Sequence, residues 1–198
     1  MSAPLFVTTR RAVLIASVAA LLGACASPQR ISGPTDGAAF DRTGRFALTV
    51  NHVGGKQEAV QGGFAWHDTG DSLTLDLANP LGSTLARVSV EPGRASMVRS
   101  NGEREFAPDP DALVDQVLGS PMPVGGLRYW LQGRTGPGPT ASVQKDDQGR
   151  LTAFVQDGWR AQLSRYDALG PRLLQLSRNE AQRRINVRLV VDDAPAER

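Results

Sequence analysis

From Phe40 onward the chain runs in short segments whose apolar residues fall at every second position, and turn residues close each segment. This alternation constrains the fold more than any other feature. Side chains of a strand point to the two faces of a sheet in turn, and strands joined by tight turns must pair antiparallel. Phe46, Leu48 and Val50 alternate in GRFALTVN, Phe64 and Trp66 in GGFAWHD, and LTLDL follows the turn signal Thr69-Gly70-Asp71. LARVSVE, Pro92-Gly93, RASMVRS and Asn101-Gly102 continue the series of hairpins. After an interruption come ASVQKD, RLTAFVQ, WRAQLSRY, RLLQLSR and RINVRLVV, again separated by Gly, Asp, Asn and Pro. In the last of these Ile185, Val187, Leu189 and Val191 share one face, and Arg184, Asn186 and Arg188 the other. A meander of about eleven strands is predicted.

The interruption, residues 107–133, has helical spacing. Asp109 suits an N-cap and Pro110 the first helical position; Leu113, Val114, Val117 and Leu118 fall on one face, and Gly119 stops the helix. In VGGLRYWLQG, Leu127, Trp130 and Leu131 form a second apolar stripe. So long a meander, with one apolar face, curls. The expected fold is mainly β with a small α insert: a half-open antiparallel β-barrel of about eleven strands, with a helical lid over a hydrophobic cavity.

The N-terminus obeys different rules. Arg10-Arg11 precede an uncharged apolar run, residues 12–24, too short to span a bilayer and placed as a signal peptide is placed. The run ends LLGAC, similar to the bacterial lipoprotein signal, in which the cysteine thiol is diacylglycerylated and becomes the new N-terminus. Cys25 is the only cysteine of 198 residues, so no disulfide framework exists within the chain. Ala26 in place of an acidic residue favours the outer membrane. The predicted organisation is a signal peptide at 1–24, a lipidated Cys25 with a polar tether to residue 39, a domain at 40–191 and a polar tail at 192–198. The formal charge of +2 belongs to the signal, since residues 1–24 hold two Arg and no acid, which leaves the remainder neutral. Its Arg residues are interleaved with acids, unlike a nucleic-acid stripe.

Catalytic patterns are scarce. His52 and His67 have no cysteine or acidic spacing that matches a metal site, and no nucleophile elbow, P-loop or dinucleotide fingerprint occurs. No cofactor, metal or nucleic acid is expected, and the chain is not expected to be an enzyme. One local oddity stands out. In LANPLGSTL a strand is broken by Asn79-Pro80, turn residues follow at Gly82-Ser83, and Leu81 occupies the tip.

These segments together resemble the LolB family of outer-membrane lipoproteins. The resemblance rests on GRFALTV, on FAWHDTGDSLTLDLANPLGST, on GSPMPVGGLRYWLQG and on DDQGRLTAFVQDGW, in that order. The chain departs from the family in Gly62-Gly63, where bulkier residues are commoner, and in ending its last strand on Val190-Val191-Asp192. The resemblance implies a LolA/LolB-like fold and a receptor that takes lipoproteins by their acyl chains from the periplasmic carrier LolA. It implies energy-independent insertion of them into the inner leaflet of the outer membrane, with outer-membrane phospholipid as a further partner. The protein would sit on the periplasmic face as a monomer, anchored through Cys25. Leu81 would be the membrane-inserting residue, flanked by Pro80 and Gly82. Phe46, Leu48, Phe64, Trp66, Leu75, Leu77, Val88, Leu127, Trp130 and Leu131 are the candidates to line the cavity, and Arg87 and Arg128 are candidates to steer an acidic carrier. Two alternatives stand beside this one: a lipid-anchored envelope hydrolase, and a sensor or structural lipoprotein that binds acyl chains without releasing them.

Overall fold

The computed structural model describes residues 39–193; the signal run, Cys25, the tether to residue 38 and the tail from residue 194 lie outside the described residues. Among the described residues eleven strands form one antiparallel sheet. They are β1 Phe40–His52, β2 Gln57–Asp68, β3 Leu73–Ala78, β4 Thr84–Glu91, β5 Arg94–Arg99, β6 Arg104–Ala107, β7 Thr140–Lys145, β8 Leu151–Gln156, β9 Trp159–Tyr166, β10 Pro171–Asn179 and β11 Arg183–Val191. Helices α1 Pro110–Leu118 and α2 Val124–Trp130 separate β6 from β7.

The order across the sheet is β6-β5-β4-β3-β2-β1-β11-β10-β9-β8-β7. First and last strands therefore pair at the centre, and the strands that flank the helical insert are the two edges. The sheet is not closed, as a half-open barrel requires. Burial follows the alternation: Phe40, Arg42, Phe46, Leu48 and Val50 of β1 face inward with Phe64, Trp66 and Asp68 of β2 and Leu73, Leu75 and Leu77 of β3. None of the helices among the described residues is long and apolar enough to cross a membrane.

Each helix has a local cause. The Asp109 carboxylate accepts the Asp111 N–H, Pro110 opens α1, and Gly119 closes it at φ +68°, the left-handed conformation that glycine adopts without strain. Leu113, Val114 and Leu118 are buried, against β4, β5 and β6. α2 inserts Val124, Leu127 and Trp130 into the core, and Trp130 meets Phe154 edge-on at 5.5 Å between ring centroids.

Two glycines let the central strands pack closely. Gly44 pairs with Phe64 across β1 and β2, and Gly62 pairs with Phe46, so each phenylalanine covers the place of a missing side chain. A Cβ on Gly62 would lie 2.1 Å from the Ala78 carbonyl oxygen, and one on Gly44 would lie 2.2 Å from that of Val190. Backbone carbonyls held in a sheet cannot step aside cheaply. Gly62→Ala is therefore expected to lower the unfolding free energy by about 2–3 kcal/mol, read from urea denaturation, with retained strand content by circular dichroism.

Candidate functional site

The β3–β4 loop, residues 79–83, is built around Asn79. Its side-chain oxygen accepts the Leu81 N–H at 2.9 Å and the Ser83 N–H at 3.0 Å. Its own N–H donates to the Ser83 carbonyl at 2.9 Å, and its carbonyl accepts the Gly82 N–H at 2.9 Å. Gly82 turns the chain at φ +88°, where a Cβ would be strained. Four hydrogen bonds thus fix the loop without any contribution from the Leu81 side chain, and Leu81 is 92% exposed. Asn79 was legible in the sequence only as a strand breaker beside Pro80. Its work as the organising acceptor of the loop follows from the Asx-turn chemistry of asparagine.

The same strand that leads into this loop lines the interior. Leu75 and Leu77 of β3 face a narrow apolar cavity together with Phe46, Phe64, Trp66, Leu127 and Leu131. Met122 and Leu189, not singled out from the sequence, complete the lining. Leu48, Val88 and Trp130 lie in the packed core, at 1%, 0% and 0% exposure, outside the cavity wall. The free space is about 10 Å³, on the order of one water, against about 300–1,000 Å³ for sites that enclose ligand-sized guests. Three of its nine lining residues, Met122, Leu127 and Leu131, come from the insert, so the space can widen only if side chains of the insert or the sheet move.

Polar contacts tie α2 both to the sheet and to α1. Arg128 of α2 donates from Nε and Nη2 to the two carboxylate oxygens of Asp68, at 2.7 Å each, and also to the Gly70 carbonyl. The Asp68 side chain is 4% exposed. Within the insert Asp111 of α1 accepts the Gly125 N–H of α2 at 2.9 Å. The Arg128 guanidinium is therefore committed to an ion pair. Arg87 likewise is paired bidentately with Asp76, at 2.6 and 2.7 Å. Each of these two arginines is thus ion-paired, Arg87 with an acid on the adjacent strand β3 and Arg128 with one at the end of β2.

Burial pushes the Asp111 carboxyl up to about 6, with the charge of Asp109 adding to the shift and the Gly125 N–H opposing it. A carboxyl whose folded pKa exceeds its unfolded value holds its proton more tightly in the fold. Its contribution is full at low pH and is lost as pH rises from about 4 through about 6. Asp111→Asn keeps an acceptor for Gly125 and removes the buried charge. After discounting for partial exposure it is expected to stabilise the protein by about 1–2 kcal/mol at pH 7.5, and to flatten the loss of stability between pH 4 and 6 in a chemical denaturation series.

Elsewhere the titratable groups are dispersed. His67 Nδ1 lies 2.5 Å from the Asp41 carboxylate on the outer face, and His52 lies 3.5 Å from Glu58. No hydroxyl is bonded to His67 among the described residues, and no group of three His, Cys, Asp or Glu among them is arranged to hold a metal.

Residues 38–193 match the family model described as Outer membrane lipoprotein LolB. The chain is 55% identical over 175 residues to the outer-membrane lipoprotein LolB of Bordetella pertussis, covering 88% of this chain and 87% of the relative. It is 54% identical over 183 residues to that of Bordetella petrii, covering 91% and 92%. With the LolB of Cupriavidus necator it shares 40% identity over 179 residues, covering 87% and 90%.

Proposed function

The chain belongs to the LolB family of outer-membrane lipoproteins, and within it we propose that this protein accepts lipoproteins from the periplasmic carrier LolA by their acyl chains and inserts them into the outer membrane. It is a receptor and not an enzyme, and its place is the outer membrane. The observation that carries the proposal is the continuity of β3: Leu75 and Leu77 border the apolar cavity, and four residues further on Leu81 stands 92% exposed on a loop fixed by Asn79. One strand thus joins the place that shelters an acyl chain to the place that meets the bilayer.

The energetics support a passive handover. An acyl chain of some sixteen carbons costs on the order of 10 kcal/mol to leave in water, so cargo must pass between sheltered sites. In this scheme Pro80, Leu81 and Gly82 meet outer-membrane phospholipid, and the cavity residues of β1, β2, β3 and α2 take the chain once the insert yields. Cys25 carries the lipid that keeps the domain at the inner leaflet, residues 26–39 are its tether, and a monomer suffices. Transfer runs downhill from carrier to receptor to bilayer.

The test is a two-step transfer. A labelled lipoprotein on purified LolA is mixed with a Cys25→Ala form of this protein, and then with phospholipid vesicles. The label is expected to move to the protein and from it to the vesicles without nucleotide. Release of free fatty acid in place of transfer would assign the chain to the hydrolase alternative. Uptake without any release to vesicles would assign it to the acyl-binding sensor.

A further inference from the structure

Four large apolar side chains stand exposed among the described residues: Val53, Leu81, Phe106 and Val143. Phe106 and Val143 lie on the edge strands β6 and β7, whereas Val53 and Leu81 occupy turns. Neighbouring strands alternate in direction, so the β1–β2 and β3–β4 turns project from the same end of the sheet. The β10–β11 turn lies there too, since Arg183 pairs with His52. The turns at the opposite end, residues 69–72, 92–93, 146–150 and 167–170, hold none of the four. Val53 is 76% exposed, and backbone hydrogen bonds hold its turn. The His52 N–H donates to the Lys56 carbonyl at 2.9 Å, and the Gly55 N–H to the His52 carbonyl at 2.9 Å. The Val53 N–H donates to the Gln182 carbonyl of the β10–β11 turn at 3.0 Å. A fixed turn thus presents an apolar side chain to water, as the next hairpin does at Leu81. Arg183 and Arg184 border the same shallow groove as Val53. Arg183 is paired with Glu180 at 2.7 Å, whereas Arg184 donates to the neutral side-chain amide of Asn179 at 2.9 Å.

We infer that the β1–β2 turn is a second contact with the phospholipid bilayer, where the Val53 side chain enters the interface and Arg184 meets a lipid phosphate. The inference rests on the membrane contact proposed above for Leu81 and adds a second point to it. A single point of contact leaves a domain free to rotate on the membrane, and two points fix its approach. An apolar tip beside a cation matches what a phospholipid presents, acyl chains beneath a phosphate. The strand register sets the posture. Ala78, the last residue of β3, pairs with Gly63, and β2 extends beyond that pair to Gln57, six residues away. The β1–β2 hairpin therefore reaches about 20 Å past the end of β3. A bilayer that meets both tips lies oblique to the strands, so the domain leans on the membrane.

The experiment places one label at a time. Cys25 is the only cysteine, so the full chain with Cys25→Ala takes a nitroxide at a single introduced thiol: Val53→Cys, Leu81→Cys or Phe106→Cys. Vesicles of phosphatidylethanolamine and phosphatidylglycerol are added. Collisions of the label with oxygen and with a water-soluble nickel chelate are read by electron paramagnetic resonance. Labels at 53 and 81 are expected to gain oxygen collisions and lose nickel collisions, and the label at 106 to stay in water. Without a label, Val53→Ser is expected to lower vesicle affinity about tenfold and Arg184→Gln about fivefold, both with an unchanged unfolding midpoint. Val53→Ser combined with Leu81→Ser should lower it by the product of the two single effects. A label at 53 that stays in water while the one at 81 enters the bilayer overturns the second contact and leaves the Leu81 reading standing. Wild-type affinity in Val53→Ser has the same consequence. Labels at 53 and 81 that both stay in water overturn the membrane contact as a whole. Shielding of position 53 by LolA and not by vesicles assigns the turn to the carrier and overturns the bilayer contact.

Discussion

Leu81→Glu is expected to accept a lipoprotein from its carrier as the wild type does and to deliver it to vesicles about a thousandfold more slowly. The side chain is 92% exposed and contributes nothing to the core, and the loop hydrogen bonds run through Asn79 and the backbone. Fold and uptake should therefore survive. Delivery loses about 1.5–3 kcal/mol of leucine burial and gains a penalty of about 2.5–3.5 kcal/mol for bringing a charge into hydrocarbon. The sum exceeds 4 kcal/mol, and each 1.4 kcal/mol is a factor of ten. Leu81→Ala, which loses burial alone, should slow delivery by about thirtyfold, and Leu81→Phe should leave it nearly unchanged. The measurement is stopped-flow transfer of a fluorescent lipoprotein from preloaded protein to vesicles. Normal delivery by Leu81→Glu would remove Leu81 from the membrane step altogether.

The period-two alternation made the eleven strands legible, because apolar side chains on one face leave no other phase in which a strand can pair. β1 is a case where it stopped short. GRFALTVN marks a strand from Gly44, but the paired strand begins at Phe40 and takes Asp41, Arg42, Thr43 and Gly44 into the ladder. Asp, Arg, Thr and Gly in sequence suggest a turn. What holds them in the sheet is non-local: Phe64 covers Gly44, and Asp167, 125 residues away, receives Arg42. The cavity wall was partly legible for a similar reason. Phe64, Leu75 and Leu77 carry strand periodicity, whereas Met122 sits between the helices, where no period exists to place it. The inward charges Arg42 and Asp68 occupy apolar phases of their strands, and only their partners, remote in the chain, explain why they are tolerated.

Asp68 and Arg128 lead to the second large effect. Arg128→Met should lower the unfolding free energy by about 3–5 kcal/mol, the usual consequence of stranding a buried charge. In the wild type the Asp68 carboxylate receives two bonds from Arg128 and one at 2.8 Å from the Gly70 N–H. Without the arginine only the Gly70 bond remains on a side chain that is 4% exposed. Water must then reach Asp68, and the element that can move aside is α2, which carries Leu127 and Leu131 into the cavity. The loss should therefore be uneven. Amides of residues 124–131 should exchange hydrogen much faster than those of β1 and β11, and an acyl probe should enter faster than in the wild type, because opening no longer breaks the clasp. Asp68→Asn combined with Arg128→Met should recover stability toward the wild type and keep the faster entry, because both charges are gone and the clasp is still absent. If stability falls while probe entry is unchanged, the ion pair is a staple of the core, and the cavity opens at the α1 end of the insert, where Asp111 holds Gly125.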